Sequence, residues 1–275
     1  MVGGDDRGRG LARTSVWLEG KTPQRTAGRR AAQPAGLDRT KIINATVRLL
    51  DTEGTAKFSM RRLAAELDVT AMSVYWYVDT KDDLLELALD AAFATIRLPE
   101  APEGPQGPGH GERPEQGEPG PAGDWREDLR TLAVEYRTML VRHPWVSPLM
   151  GTFLNIGPHA LEFSLVIQRV MRATGLPPHG QMGGLSAVFQ FVYGFGTIEG
   201  HFRARCASAG VSQDLYYQEA IGMMATHPEL NRYLRTSAPV MDARGGGTVA
   251  EMRDRDFDFA LAMLIAGIEA MAARG

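Results

Sequence analysis

Apolar residues recur every three or four positions along most of this chain, and few stretches alternate with a period of two, so the pattern predicts helices. Ile42, Ile43, Val47, Leu49 and Leu50 make a stripe over about Arg39–Glu53, which Gly54 stops. Leu63, Ala64 and Leu67 follow the N-cap type Ser59, and Val74 and Val78 follow Thr70. Thr80-Lys81-Asp82-Asp83 then caps a helix carrying Leu84, Leu85, Ala88, Leu89, Ala92, Phe93 and Ile96, which ends before Pro99. Periodicity resumes at Asp124-Trp125-Arg126-Glu127 and runs to about His143 through Leu129, Leu132, Ala133, Tyr136 and Leu140, with Pro144 as the break. A short piece, Trp145 to Met150, a helix from Pro158 to Thr174 and a long one from Gln181 to Ser208 follow. Asp254 to about Ala273 closes the set with Phe257, Leu261, Leu264, Ile265, Ile268 and Met271.

Two of these segments lie close together. Ser59 to Leu67 and Thr70 to about Tyr77 are short helices joined by the turn Leu67-Asp68-Val69, a helix-turn-helix pattern. Three consecutive residues on a helix point in three directions, so Tyr75, Trp76 and Tyr77 cannot all face one core. At least one of them is expected against solvent or a partner. The long segment 181–208 mixes Phe189, Phe191, Tyr193, Phe195 and Phe202 with Gly183, Gly184, Gly194, Gly196 and Gly200. Glycine weakens a helix unless another backbone approaches closely, and a partner helix is the natural candidate.

Two stretches lack periodicity. Residues 1–36 are rich in Gly, Pro, Arg and Thr and read as a flexible basic arm; from Lys21 to Lys41 six cations stand against the single anion Asp38. Such an arm is either a solvated tail or, through Arg25, Arg29 and Arg30, a minor-groove contact. Pro99 to Gly123 holds Pro, Gly, Glu and Gln with almost nothing apolar to bury and reads as a disordered insert.

Composition narrows the class. A chain of 275 residues, 44% hydrophobic, carries one or two cores. A net charge of −3 does not mark a nucleic-acid binder, so any DNA affinity has to come from local basic clusters. One cysteine, Cys206, excludes an internal disulfide framework and fits a reducing cytosol. No apolar run approaches the roughly 20 residues of a membrane helix, and the start lacks a hydrophobic signal core. The expectation is a cytoplasmic protein with no membrane partner.

Leu37 to Ile96, centred on Val74-Tyr75-Trp76-Tyr77-Val78 and Lys81, resembles the DNA-binding domain of the tetracycline-repressor (TetR) family. The family usually has Gly in the turn where Asp68 stands, a residue that tolerates a left-handed backbone better than most. The resemblance implies that Arg61 reads a guanine, that Thr70, Ala71, Met72 and Ser73 lie at or beside base edges, and that Tyr75, Trp76, Tyr77 and Lys81 hold the backbone of double-stranded operator DNA. The residue chemistry agrees: Arg forks onto guanine, Ala and Met suit a thymine methyl, and Tyr and Lys suit phosphates. It implies further a homodimer, built by the Gly-rich and last helices, and a small-molecule effector among the helices of the body. Candidates for that site are the apolar Trp145, Met150, Phe153, Phe163, Met171, Phe189 and Tyr193, with His143, Glu199 and His201 as polar anchors, although an aromatic or Met at helical spacing is also ordinary core.

The expected fold is all-α: an N-terminal three-helix helix-turn-helix domain over 37–97, then the insert 98–123, then a larger helical effector-binding and dimerisation domain over 124–275. The family's metal-tetracycline ligands do not carry over, because Arg97 stands where an imidazole is needed. No cofactor or metal is expected. An enzymatic role would have to rest on His159-Ala160-Leu161-Glu162 or Glu199-Gly200-His201, and neither has the Glu-x-x-His spacing of a helical di-metal site. A DNA-binding regulator, most simply a repressor released by its effector, is the reading preferred over a constitutive architectural DNA binder.

Overall fold

The computed structural model describes residues 15–18, 37–100 and 124–274; Arg25, Arg29, Arg30 and most of the expected insert lie outside them. The described residues are helical, with no strand among them. Their contacts form two compact units that do not follow chain order. The first comprises the chain to Leu98 together with Thr138–Val166, and the second Pro99–Arg137 together with Ile167 onwards.

In the first unit, α1 (Arg39–Glu53), α2 (Met60–Glu66), α3 (Ala71–Val74) and α4 (Lys81–Phe93) are each started by the side chain the sequence offers. Asp38 accepts from the Lys41 amide at 2.7 Å, Ser59 from Arg62 at 3.2 Å and Thr70 from Ser73 at 3.3 Å. Thr80 and Asp83 form a reciprocal capping box at 3.0 Å in both directions. Ile42, Ala45, Leu63, Val74, Leu84 and Ala88 are fully buried and join these helices. Each Leu or Ile so placed contributes about 1.5–3 kcal/mol.

Asp68 takes φ 53°, so the turn has the left-handed backbone for which glycine is the usual choice. The third helix is shorter than the sequence suggested. It is regular to Val74 and continues as turns to Tyr77. α4 likewise ends at Phe93, with tighter turns carrying on to a buried Ile96.

α6 (Val146–Met150) and the first part of α7 (Pro158–Ala173) complete this unit. Two carboxylates fasten them. Asp51 of α1 accepts from both His143 Nδ1 at 2.7 Å and Trp145 Nε1 at 2.6 Å. Buried Asp90 of α4 caps α7 from outside, accepting the amides of His159 and Ala160 at 3.0 and 3.1 Å and His159 Nδ1 at 2.8 Å. Gly157 makes that approach possible, since a Cβ there would run into the Asp90 carboxyl.

The second unit holds most of α5 (Trp125–Arg142), the end of α7, α8 (Pro178–Ser208), α9 (Gln213–Thr226), α10 (Pro228–Arg244) and α11 (Val249–Ala272). Its core joins α8 to α11 through Val188, Val192, Phe257, Leu261 and Ile265, with Phe191 stacked on Phe257 at 5.5 Å between ring centroids. Arg137 of α5 binds Glu199 and Asp254, each at 2.8 Å, and lies over the Phe257 ring at 4.6 Å. Cys206 is buried near the end of α8.

The glycines of α8 divide. Gly196 and Gly200 are buried, and at Gly184 a Cβ would come within 2.7 Å of Met171 Cε. At Gly183 and Gly194 a Cβ would meet nothing within 4 Å. α11 starts at Val249 rather than near Asp254, because Thr248 and Glu251 form a capping box. α9 and α10 stand where the sequence suggested no element.

Candidate functional site

The residues expected to read DNA sit on one short stretch of the first unit. Arg61 on α2 is exposed and makes no hydrogen bond or ion pair with the described residues, whereas its neighbour Arg62 is held by Glu53 at 2.7 Å and Glu66 at 3.2 Å. Thr70 faces solvent at the N-cap of α3, and Ala71 and Ser73 are half-buried. Met72 is 69% exposed, Tyr75 43% and Trp76 38%, while Val74 and Val78 between them are buried. Their backbone explains this arrangement, since a single helical turn anchored by Val74 inward has to send its neighbours outward.

Tyr77, the third of these aromatics, is half-buried. Its hydroxyl donates to the Leu37 carbonyl at 2.6 Å, so its one donor proton is used in fixing the start of α1. Burial, with the charge of Asp38 adding to it, pushes this phenol above its ordinary pKa. Lys81 is exposed, with its ammonium 5.5 Å over the Phe58 ring.

The ten candidate ligand residues are distributed over both units. In the first, His143 and Trp145 are buried and bound to Asp51, which gives them a structural task; His143 Nε2 is left buried without a partner among the described residues. Phe163 packs against Phe93 at 5.7 Å, and Met150 is half-buried. Phe153 lines a small cavity with Trp17, Glu86, Leu89, Asp90, Phe93, Asn155, Gly157 and Ala160.

In the second unit, Phe189 lies 5.8 Å from Tyr136, and Tyr193 is half-buried. Burial drives the Tyr136 phenol far above its ordinary pKa, with Tyr193 adding to it, so Tyr136 stays neutral. Met171 lines a second cavity with Gln168, Arg172, Gln181 and Leu185. Glu199 is engaged by Arg137, which occupies the carboxylate proposed as an anchor, and His201 is exposed. Among the described residues no three His, Cys, Asp or Glu side chains gather as a metal site requires.

Trp17 and Ser15 were not anticipated as site residues, because the arm around them is Gly- and Arg-rich. The signal was present in Ser15-Val16-Trp17-Leu18, an isolated apolar cluster in that arm. Ser15 is in fact buried against α4.

Residues 42–88 match the N-terminal pattern of bacterial regulatory proteins of the tetR family, and residues 117–272 match the tetracycline repressor-like C-terminal domain. The chain belongs to the TetR family. An HTH-type transcriptional regulator of Saccharopolyspora erythraea is 32% identical over 260 residues, 94% of this chain and 92% of that one. The HTH-type transcriptional repressor DrrR1 of Streptomyces coeruleorubidus is 26% identical over 96% of this chain and 87% of its own. The fold is shared with ActR of Streptomyces coelicolor, a TetR family protein solved with actinorhodin, at a TM-score of 0.61 and 22% identity over 86% of this chain and 97% of that one. TetR-family regulators bind operator DNA and small-molecule effectors. No helix among the described residues is long and apolar enough to cross a membrane.

Proposed function

We propose that this TetR-family regulator is a cytoplasmic homodimeric repressor that reads its operator through α2 and α3 and leaves it when an effector binds. The observation that carries the DNA-reading part is the exposure of Met72, Tyr75 and Trp76 together beside Arg61, which has no partner among the described residues. Large apolar and aromatic side chains turned outward on one helical turn lose burial energy unless a partner covers them. Arg61 would fork onto a guanine, Met72 and Ala71 would meet thymine methyls, Thr70 and Ser73 would lie at or beside base edges, and Tyr75, Trp76 and Lys81 would fix the backbone. Arg25, Arg29 and Arg30 would add phosphate or minor-groove contacts.

The dimer reading rests on α8 and α11. Ile198 and Met182 of α8 and Phe259, Met263 and Met271 of α11 are each more than half exposed, on faces that also carry Gly183, Ala262, Ala266 and Gly267. Small residues with open space beside them let helices from a second copy come close, and two-fold symmetry suits two half-sites about one DNA turn apart. The effector reading is supported by the ActR complex with actinorhodin and by the name of DrrR1 as a repressor. An effector acts by binding more tightly to the conformation whose heads do not fit the operator.

Fluorescence anisotropy with DNA from the gene's own upstream region, at two salt concentrations, tests the reading. Arg61→Ala is expected to relax specificity by about 1–3 kcal/mol at one base pair, and Tyr75→Ala to weaken binding to all sequences. Equal binding by wild type and both variants would sink these roles.

A further inference from the structure

Ser15–Leu18 is a short strap docked on α4. Its turn is closed by the Leu18 amide donating to the Ser15 carbonyl at 3.1 Å and by the Trp17 amide donating to Ser15 Oγ at 3.3 Å. Ser15 is 3% exposed, and its hydroxyl donates to Glu86 Oε2 at 2.5 Å. The Val16 amide donates to the same carboxyl. Glu86 is buried, and burial pushes its pKa above the usual carboxylate range even though these two hydrogen bonds pull it down.

The strap brings Trp17 to the cavity that Glu86, Phe93, Phe153 and Asn155 line, and what remains is about 10 Å³, room for one water. Asn155 does not fit a finished core. It holds the left-handed backbone at φ 52°, its Nδ2 is bound to the carbonyls of Met150 and Phe153 at 2.9 and 3.0 Å, and its Oδ1 is buried with no partner among the described residues. A buried acceptor without a donor destabilises the fold that holds it. An unmet buried acceptor at a cavity wall is the mark of a site kept ready for something else.

We propose that the strap is an internal stand-in for a ligand, and that the site it fills takes a planar bicyclic aromatic compound bearing a hydroxyl. The ring replaces the Trp17 indole between the walls that carry Phe93 and Phe153. The hydroxyl donates to Asn155 Oδ1, and the strap lifts from Glu86 as the ring enters. This rests on the effector-regulated reading, and it names both the ligand class and the segment the ligand displaces.

Isothermal titration of the full-length protein with 2-naphthol, and with 2-methoxynaphthalene, which lacks the donor, tests it in the absence of DNA. Trp17→Ala removes the stand-in and is expected to tighten 2-naphthol about tenfold over wild type, at one per chain. Trp17→Phe, a smaller change for the fold, gives an intermediate gain. Adding Asn155→Gly, which keeps the left-handed backbone, brings 2-naphthol down to the level of the methoxy compound. No gain in either Trp17 variant, or the same gain for both compounds, overturns the proposal. Binding as expected that leaves operator affinity unchanged would instead sink the effector reading while leaving the site.

Discussion

The two units are both helical, yet they are held by different means. In the first, three carboxylates with defined donors lock the helices: Asp51 takes His143 and Trp145, buried Asp90 caps α7, and buried Glu86 receives the strap. In the second, α9 and α10 have no buried residue at all, and α8 and α11 leave large apolar side chains exposed beside those they bury. Polar groups without water have to find one geometry, which specifies a rigid head. An uncovered apolar face leaves a surface that, in the dimer proposed above, a second copy would cover.

The contrast is broken most severely at α11. Phe259→Glu with Met263→Glu is expected to leave a monomer in sedimentation analysis and to weaken operator binding by about a hundredfold or more, the usual loss when two linked sites act singly. Retention of the dimer would move the interface elsewhere. The next effect belongs to Asp51→Ala, which leaves His143 and Trp145 buried and unpaired; urea unfolding should show a loss of about 3 kcal/mol, while Asp51→Asn retains an acceptor and loses less. Asp90→Ala should cost about 1–3 kcal/mol through the lost cap, seen as a lower Tm.

Glu86→Gln sharpens the comparison through pH. The folded pKa of Glu86 lies above its unfolded value, so the wild type loses stability as pH rises from the ordinary carboxylate range through that raised value. The variant should match the wild type in acid and be the more stable once pH passes the raised value, in paired denaturant curves. A constant difference across pH would show that the charge is not what burial penalises. Tyr233→Ala, on exposed α10, should change stability by no more than about 0.5 kcal/mol.

Much of this was legible in the chain. Ser59, Thr70 and Thr80 marked helix starts because capping is local chemistry, and the run Tyr75-Trp76-Tyr77 announced an outward face because helix geometry allows nothing else. α9 and α10 escaped because neither buries a stripe, so the periodicity that reveals helices was weak; Ser212, Pro228 and Gly245 were their local marks. The partners of Asp51, 92 and 94 residues away in sequence, could not be read from spacing. Nor could the hydrogen bond of the Tyr77 hydroxyl, which depends on where the Leu37 carbonyl lies. The strap at Ser15–Leu18 escaped because four residues carry no period.

The uneven burial of the indoles gives the molecule its own optical labels. Trp145 is 4% exposed and bound to a carboxylate, whereas Trp76 is 38% exposed on the turn that follows α3. Their emission therefore separates by colour and by access to a soluble quencher such as acrylamide. Operator binding should shield the red, quenchable component and leave the blue one untouched, so the unmodified protein reports which of its surfaces has been covered.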